Sequence, residues 1–173
     1  MLQEISLAGK TALVTGGATG IGFAIAEEMA DAGAHVVIVG RREEKLKEAA
    51  EKLGDKCSWY KFDVTETEKH AEFIQMLEDQ APLDILVNTA GINNKKDYFD
   101  FTAEEFDEIV ATQAKAPFML SQEVARHMKE RKKGCIILIS SLASILGMHE
   151  IQAYTVCKSG MKGLARSLAR DLG

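Results

Sequence analysis

Residues 11–22 read TALVTGGATGIG, and this stretch decides the fold of the chain. Its first half, through Ala12, Leu13 and Val14, is a continuous apolar run, which is typical of a strand buried on both faces in a parallel sheet. A glycine-rich turn follows at once, and the apolar residues after it recur at helical spacing. The stretch therefore predicts a strand, a tight turn and a helix, the opening unit of an α/β protein.

Strand-length apolar runs and helix-period segments alternate along the rest of the chain. The further strand candidates are residues 36–39, 59–64, 85–87 and 136–139. The order βαβαβαβαβα predicts a doubly wound parallel sheet of the α/β class, in three layers α/β/α with right-handed crossovers. No linker or repeat interrupts this order, so residues 1–173 are predicted to form one domain.

Capping signals set the expected bounds of the helices. Thr65 and Thr102 each open a Thr-x-x-Glu sequence, which is typical of a capping box at a helix start. The helix after Thr102 is predicted to run to residues 127–131, with a bend at Pro117. The last helix is predicted over residues 152–172.

Composition and charge exclude several classes of protein. The 173 residues are 46% hydrophobic and 27% charged, which is ordinary for a globular domain. The net charge of −5 argues against non-specific nucleic-acid binding. The longest apolar run, Cys135–Ile139, is far shorter than the roughly 20 residues of a membrane helix. Three cysteines cannot close a disulfide framework, and Glu4 stands where a secretion signal is basic, so we predict a cytoplasmic protein without membrane or nucleic-acid partners.

The glycine-rich turn is a candidate phosphate-binding site. Glycines let backbone amides approach a pyrophosphate, which the N-terminus of the following helix then stabilises. The candidate residues are Gly16, Thr19, Gly20, Ile21 and Gly22. Their spacing differs from the usual Gly-x-Gly-x-x-Gly fingerprint, although the position between strand and helix is the same.

Two arginines follow the second predicted strand and indicate which dinucleotide is preferred. An acidic residue about 20 positions past the glycines would bind the ribose hydroxyls of NAD, whereas a nearby arginine accommodates the 2′-phosphate of NADP. Here Arg41 and Arg42 follow Gly40 directly, and the acidic residue is missing. The pattern favours NADP(H) over NAD(H).

A second group of residues indicates proton-transfer chemistry. Ser141 ends the fifth predicted strand, at the edge where doubly wound sheets place their ligand crevice. Tyr154 and Lys158 stand four residues apart on the last predicted helix and therefore share one face. A neighbouring ammonium favours the phenolate form of a phenol, which makes the phenol a usable proton donor near neutral pH.

These motifs occur in register, and with them the chain resembles the short-chain dehydrogenase/reductase family from Gly9 to its last residue. The motifs are the glycine turn, Asp63-Val64, Asn88-Thr89-Ala90-Gly91, Ser141 and Tyr154-x-x-x-Lys158. The resemblance implies a Rossmann fold, an NADP-dependent oxidoreductase and a homodimer or homotetramer. It also implies hydride transfer between the nicotinamide and a carbonyl or secondary alcohol of a small-molecule substrate.

The resemblance assigns roles to individual residues. Tyr154 would be the general acid/base, Ser141 would hold the substrate carbonyl, and Lys158 would favour the phenolate and bind the nicotinamide ribose. The implied cofactor contacts beyond the glycine turn and the arginines are Asp63, Val64, Asn88, Ala90, Gly91, Tyr154 and Lys158. No metal site is expected, since the histidines show no ligand spacing.

Two features depart from the family pattern. Gln113 stands where the family has an asparagine whose main-chain carbonyl holds a water linking the catalytic lysine to solvent, and the resemblance implies the same role for Gln113. Family members also continue past the position of Gly173, into two more strands and a substrate lid. We therefore expect a sheet that lacks the family's last strands, from a chain that is part of a longer protein.

Three functions stay open on the sequence. Residues 92–96 and 147–154 look like those of the sugar-acid and polyol dehydrogenases of the gluconate 5-dehydrogenase type, with Lys95 or Lys96 meeting a substrate carboxylate. A 3-oxoacyl-[acyl-carrier-protein] reductase shares every motif above. A non-catalytic dinucleotide-binding module that has lost its substrate lobe represents a different class of protein.

Overall fold

The computed structural model describes residues 6–173 and contains a five-stranded parallel sheet with helices on both faces. The strands are β1 (Thr11–Thr15), β2 (His35–Gly40), β3 (Cys57–Lys61), β4 (Ile85–Asn88) and β5 (Cys135–Leu138). Their order in the sheet is β3-β2-β1-β4-β5, so the winding reverses between β1 and β4. This is the doubly wound α/β arrangement that the sequence predicts, and it is confirmed.

Six α-helices cover the sheet in the described residues. They are α1 (Gly20–Asp31), α2 (Glu43–Leu53), α3 (His70–Gln80), α4 (Ala103–Val110), α5 (Ala116–Arg131) and α6 (Gln152–Leu172). A π-helical segment, Ala111–Lys115, joins α4 to α5. Across residues 6–173, none of the helices combines the length and the apolar character that crossing a bilayer requires.

The Thr102 prediction is confirmed, whereas the Thr65 prediction is wrong. Thr102 and Glu105 form a complete capping box at the start of α4. Thr65 instead donates its hydroxyl and its backbone N–H to Asp63 Oδ1, at 2.8 and 3.0 Å, and α3 begins only at His70. The aspartate forms a local turn with the threonine, and such side chain–backbone contacts compete with helix capping. β3 accordingly ends at Lys61, before this turn.

The regular α-helix is interrupted a few residues before Pro117, where a bend was predicted, by the π-helical segment Ala111–Lys115. Pro117 itself is buried in the first turn of α5. A proline has no N–H to donate to the preceding turn, and a π-helical turn before it accommodates the missing hydrogen bond. The wider turn carries Gln113 and packs against α6.

Side chains alternate between the two faces of the sheet and build a core on each. Leu13 and Leu86 pack with apolar residues of α3 and α5, whereas Val14 and Val87 pack with those of α1 and α2. A third, smaller cluster holds α4 against α6 and consists of Ile109, Ala153 and Cys157. It fixes the helix that carries Tyr154 and Lys158.

His70 makes the stability of the fold depend on pH. Its side chain is buried, and Nε2 donates to the Val64 carbonyl at 2.9 Å, while Nδ1 has no partner among residues 6–173. Burial lowers the pKa of His70 below its ordinary 6.5. The unfolded chain therefore takes up a proton at a higher pH than the folded chain does, and stability is lost as pH falls below about 6.5.

We expect His70→Gln to flatten this dependence. Glutamine can still donate to Val64, but it does not titrate. Urea unfolding should show that the free energy of unfolding falls less between about pH 7 and about pH 5.5 in the variant than in the parent. The exposed His149→Gln variant is the control. Parallel pH profiles for the parent and His70→Gln would contradict the assignment.

Candidate active site

A cleft of about 560 Å³ opens at the carboxyl ends of the strands, where the winding reverses. Doubly wound sheets bind their ligands at this position. Most of the predicted cofactor residues line it: Gly16, Thr19, Ile21, Gly22, Arg41, Arg42, Asp63, Val64, Ala90 and Gly91. Asn88 does not; it is buried, and its amide donates to Ser121 Oγ at 3.2 Å. Gly20 is also not part of the cleft wall.

The glycine turn leaves room that a side chain would fill. Gly16 has a φ of +67°, and a Cβ there would lie 3.0 Å from the Cα of Ala90. A Cβ on Gly22 would collide with the Gly16 carbonyl oxygen and lie 2.6 Å from Thr89 Oγ1. These two glycines allow the turn after β1, the start of α1 and the turn after β4 to approach closely.

The start of α1 suits an anion. Its N-cap residue, Thr19, makes no side-chain capping bond, and the first turn contains no acidic residue. The first N–H groups of a helix lack partners within the helix, and the helix dipole adds partial positive charge there. The open backbone, the helix end and the size of the cleft together fit the pyrophosphate of a dinucleotide.

The rim of the cleft beyond β2 is cationic. Arg41 and Arg42 line it, and Arg42 Nη2 donates to Thr19 Oγ1 at 3.2 Å. That bond joins the turn after β2 to the turn after β1. On the neighbouring wall, the Asp63 carboxylate accepts from Thr65 and keeps its second oxygen for another partner.

Two threonines support the cleft, and sequence reasoning missed Thr15. Its buried Oγ1 accepts from the backbone N–H of Thr89 and of Ala90, both at 3.1 Å, and Thr89 Oγ1 donates to the Thr15 carbonyl. This cross-link fixes the turns after β1 and β4 relative to each other. A threonine as the last residue of a buried strand is the signal that was available. The cleft-lining residues that sequence reasoning did not assign are Ala18, Val39, Gly40, Leu46, Phe62, Thr65, Thr89, Ile92 and Thr112.

The Lys158 ammonium lies beside the ring of Tyr154. Lys158 Nζ is 5.5 Å from the ring centroid and donates to the Ile139 carbonyl at 2.8 Å. Burial lowers the pKa of Lys158. Ser140 Oγ donates to the Lys158 carbonyl at 2.9 Å, which ties the end of β5 to α6. The ammonium and the Tyr154 ring therefore share one face of α6.

Ser141 was predicted to end the fifth strand, but it lies three residues past the end of β5, next to the same helix. Its Oγ accepts from the Ala143 N–H at 3.1 Å, within the short 3₁₀ turn Leu142–Ser144. The dinucleotide cleft itself is lined by none of the three residues Ser141, Tyr154 and Lys158. Their strand and helix ends lie at the carboxyl edge of the sheet, as the cleft does. In residues 6–173 no group of three His, Cys, Asp or Glu side chains is arranged as metal ligands.

Gln113 is buried against the end of the cleft. Its Nε2 donates to the Ile92 carbonyl at 2.6 Å, and its Oε1 has no partner among the described residues. A Cβ on Gly91 would lie 2.7 Å from Gln113 Nε2, so a larger residue at position 91 would displace the Gln113 amide. The π-helical segment and the turn after β4 are joined through this contact.

Fold, cleft and the Tyr154–Lys158 pair define a dinucleotide-binding α/β oxidoreductase, and comparison with known families agrees. The family model described as short chain dehydrogenase matches residues 10–173. The chain therefore belongs to the short-chain dehydrogenase family, oxidoreductases that act on CH–OH groups.

Particular relatives are similar over almost the whole chain. The gluconate 5-dehydrogenase of Gluconobacter oxydans (strain 621H) is 39% identical, over 97% of this chain and 67% of its own length. The 5-keto-D-gluconate 5-reductase of Escherichia coli (strain K12) is 37% identical, over 99% of this chain and 69% of its own length. A crystal structure of 3-oxoacyl (acyl-carrier-protein) reductase from Agrobacterium tumefaciens C58, with NADP bound, superposes with a TM-score of 0.92 at 30% identity, covering 99% of this chain and 69% of that one.

Proposed function

We propose that this chain carries the cofactor site and the reacting groups of an NADP(H)-dependent oxidoreductase that interconverts a carbonyl and a secondary alcohol. The proposed substrate is a small polar molecule, a keto-sugar acid or a polyol, as the names of the gluconate relatives suggest. The observation that carries the proposal is a single cleft that combines an uncapped helix start with a cationic rim.

The proposed cofactor is NADP(H) rather than NAD(H). Arg41 and Arg42 stand at the end of β2, where an acidic residue would otherwise receive the ribose hydroxyls. Guanidinium groups form strong, often bidentate hydrogen bonds with phosphate. The residues proposed to hold the rest of the dinucleotide are Gly16, Thr19, Gly20, Ile21, Gly22, Asp63, Val64, Asn88, Ala90, Gly91, Tyr154 and Lys158.

In the proposed mechanism the dinucleotide, when bound, would donate the hydride in reduction and accept it in oxidation, and the chain would supply positioning and proton transfer. Ser141 would hold the substrate oxygen, and the Tyr154 phenol would give a proton to that oxygen or take one from it. The Lys158 ammonium, 5.5 Å from the centroid of the Tyr154 ring, would place positive charge next to the group that exchanges the proton. A proton that arrives from solvent would reach this pair through Gln113, whose main-chain carbonyl lies in the π-helical segment, outside the regular helical bonding pattern.

Substrate recognition is proposed to involve Lys95 rather than Lys96. Lys96 Nζ is bound to both carboxylate oxygens of Glu105, at 2.9 and 2.8 Å, so its charge is already paired. Lys95 is exposed on the same segment and suits the carboxylate of a sugar acid.

A second candidate is a 3-oxoacyl-[acyl-carrier-protein] reductase. The segment directly after Ser141 exposes Leu142, Ile145, Leu146 and Met148, with 52–70% of each residue accessible to solvent. An apolar surface next to the reacting groups suits an acyl chain better than a polyol. Turnover of oxoacyl thioesters in preference to keto-sugar acids would favour this candidate.

We also propose a homodimer or homotetramer in the cytoplasm. Phe106, Phe118 and Val156 are exposed on α4, α5 and α6, which supports an apolar contact between subunits. The cysteines are unpaired thiols in the structure, as is usual for a reducing compartment.

Arg41→Asp is the variant that tests the cofactor assignment. The aspartate would repel a 2′-phosphate and accept hydrogen bonds from ribose hydroxyls. NADPH affinity should fall roughly 10- to 100-fold, because hydrogen bonds to charged groups contribute about 1.5–3 kcal/mol, and NADH affinity should rise. Fluorescence titration with both dinucleotides measures the change.

Arg126→Asp is the matched control, since it reverses an exposed arginine on α5 away from the cleft. It should leave both affinities unchanged. Equal and tight binding of NADPH and NADH by the parent protein would remove the case for NADP(H).

A further inference from the structure

An ion pair outside the cofactor cleft joins the segment after β4 to the first turn of α4. Lys96 Nζ lies 2.9 Å from Glu105 Oε1 and 2.8 Å from Oε2, so it binds both oxygens of the carboxylate. The two side chains are about one-third exposed, at 33% and 30%. Neither residue lines the cleft, and neither belongs to the proposed reacting groups.

Glu105 is held in place by a second set of contacts that does not involve Lys96. Its backbone N–H donates to Thr102 Oγ1 at 3.2 Å, and its Oε2 accepts from the Thr102 N–H at 3.0 Å. The carboxylate is therefore fixed in one rotamer by the capping box. The bond from Lys96 lowers the pKa of Glu105.

The backbone of Lys96 reaches the turn that precedes α6. Its N–H donates to the Glu150 carbonyl at 3.0 Å. Glu150 has a φ of +62°, in the left-handed region that residues with side chains rarely adopt. Such a conformation persists only when neighbouring contacts hold it, and it is common at functional sites. The hydrogen bond from Lys96 is one such contact.

The start of α6 depends on this turn. The N-cap residue, Ile151, provides no side-chain capping bond. Further along, Ala153 and Cys157 pack against Ile109 of α4. Two sets of contacts therefore connect α4 to α6, in what we call the contact circuit. One runs from Glu105 through Lys96 to the turn before α6, and the other is the apolar cluster between the two helices. Tyr154 lies on the part of α6 between these two contacts.

We propose that Lys96 and Glu105 are positioning residues, which fix the left-handed turn at Glu150 and thereby the first turn of α6 with Tyr154. The pair acts through the backbone and does not touch the substrate. The effect on turnover rests on the proposed function, in which Tyr154 transfers the proton. The effect on the structure of the turn is independent of the proposed function. A misplacement of about 1 Å in reacting groups can cost about 10²-fold in rate, so a modest loosening is sufficient to be measured.

The variants Lys96→Met and Glu105→Gln test the proposal. Methionine removes the charge and keeps the length of the chain, whereas glutamine removes the charge and keeps the capping box. Each should lower kcat at least about tenfold with little change in KM or in NADPH affinity. The double variant should be no worse than either single variant, because both break one contact. Lys96→Arg should restore most of the turnover.

Lys10→Met is the matched control. Lys10 and Asp84 form an ion pair of the same 2.8 Å length and similar exposure at the opposite edge of the sheet, just before β1 and β4. The control removes an equivalent pair and should not change kcat. A rise in KM for Lys96→Met alone, with Glu105→Gln unaffected, would show instead that Lys96 binds substrate and would overturn the proposal.

Hydrogen exchange gives a result that does not depend on activity. Amides of residues 150–158 should exchange faster in Lys96→Met and Glu105→Gln than in the parent, and at the parental rate in Lys10→Met. Equal exchange in all four proteins would overturn the proposal, whichever substrates the parent turns over. If the parent reduces no substrate and exchange still rises in the two variants, the proposed function fails and the role of the ion pair stands.

Discussion

Replacing Tyr154 by phenylalanine should lower turnover by about 10²–10⁴-fold, the range typical of positioned acid–base catalysis. The substitution removes the transferable proton and keeps the ring beside Lys158, so α6 keeps its packing. NADPH should still bind, because the glycine turn and Arg41 are untouched. The measurement is NADPH oxidation with a panel of keto-sugar acids, oxoacyl thioesters and simple diketones.

Two further variants distinguish the loss of proton transfer from a non-specific loss of structure. Tyr60→Phe removes a phenol that donates to Gln80 Oε1 from β3, at the opposite edge of the sheet from β5, and turnover should not change. Lys158→Ala should reduce turnover about as much as Tyr154→Phe and should also weaken dinucleotide binding. Undiminished turnover in Tyr154→Phe would refute the mechanism. A parent protein that binds NADPH and reduces no panel member would be better explained as a non-catalytic dinucleotide-binding module.

Gly22→Ala should destabilise the protein and abolish tight dinucleotide binding. Alanine normally stabilises a helix interior by about 1 kcal/mol relative to glycine. Here the added Cβ would collide with the Gly16 carbonyl and lie 2.6 Å from Thr89 Oγ1, both at the cofactor turn. Overpacking costs about 1–3 kcal/mol, so we expect the clash to exceed the gain in helix propensity. Thermal unfolding and NADPH titration measure the two effects.

Gly147→Ala is the control for this substitution. It adds the same methyl group at an exposed position where nothing lies within 4 Å of the new Cβ. Its melting temperature should match that of the parent. If Gly22→Ala also melts at the parental temperature, the turn after β1 is free to move and the close approach is not required.

The fold could be predicted well because its signals are local and repeated. The apolar runs at β1, β2 and β4 are buried on both faces, whereas β5 at the edge of the sheet is only partly buried. α6 begins and ends where the sequence indicates. The error at Thr65 has a physical cause, since Asp63 competes for the same hydroxyl. The π-helical segment was not foreseen, because a proline signals a bend but not the residue where the helix widens.

Some residues of the candidate site could likewise be predicted from the sequence, and others could not. Glycines and arginines that follow strands could be placed in the cleft from chain order alone, because parallel strands end at one edge of the sheet. Thr15 was missed, since its role depends on the register of β1 with β4. Asn88 was assigned to the cofactor, but whether its side chain reaches the cleft depends on its packing against Ser121, which the sequence does not reveal.

The contact between Gly91 and Gln113 restricts how this chain can change over generations. Any side chain at residue 91 would push the Gln113 amide aside or need a shorter partner at residue 113, because its Cβ would lie 2.7 Å from Gln113 Nε2. A shorter partner would in turn give up the 2.6 Å bond to Ile92. We therefore expect the two positions to be coupled, and a chimera with a relative to keep this contact best when both residues come from the same parent.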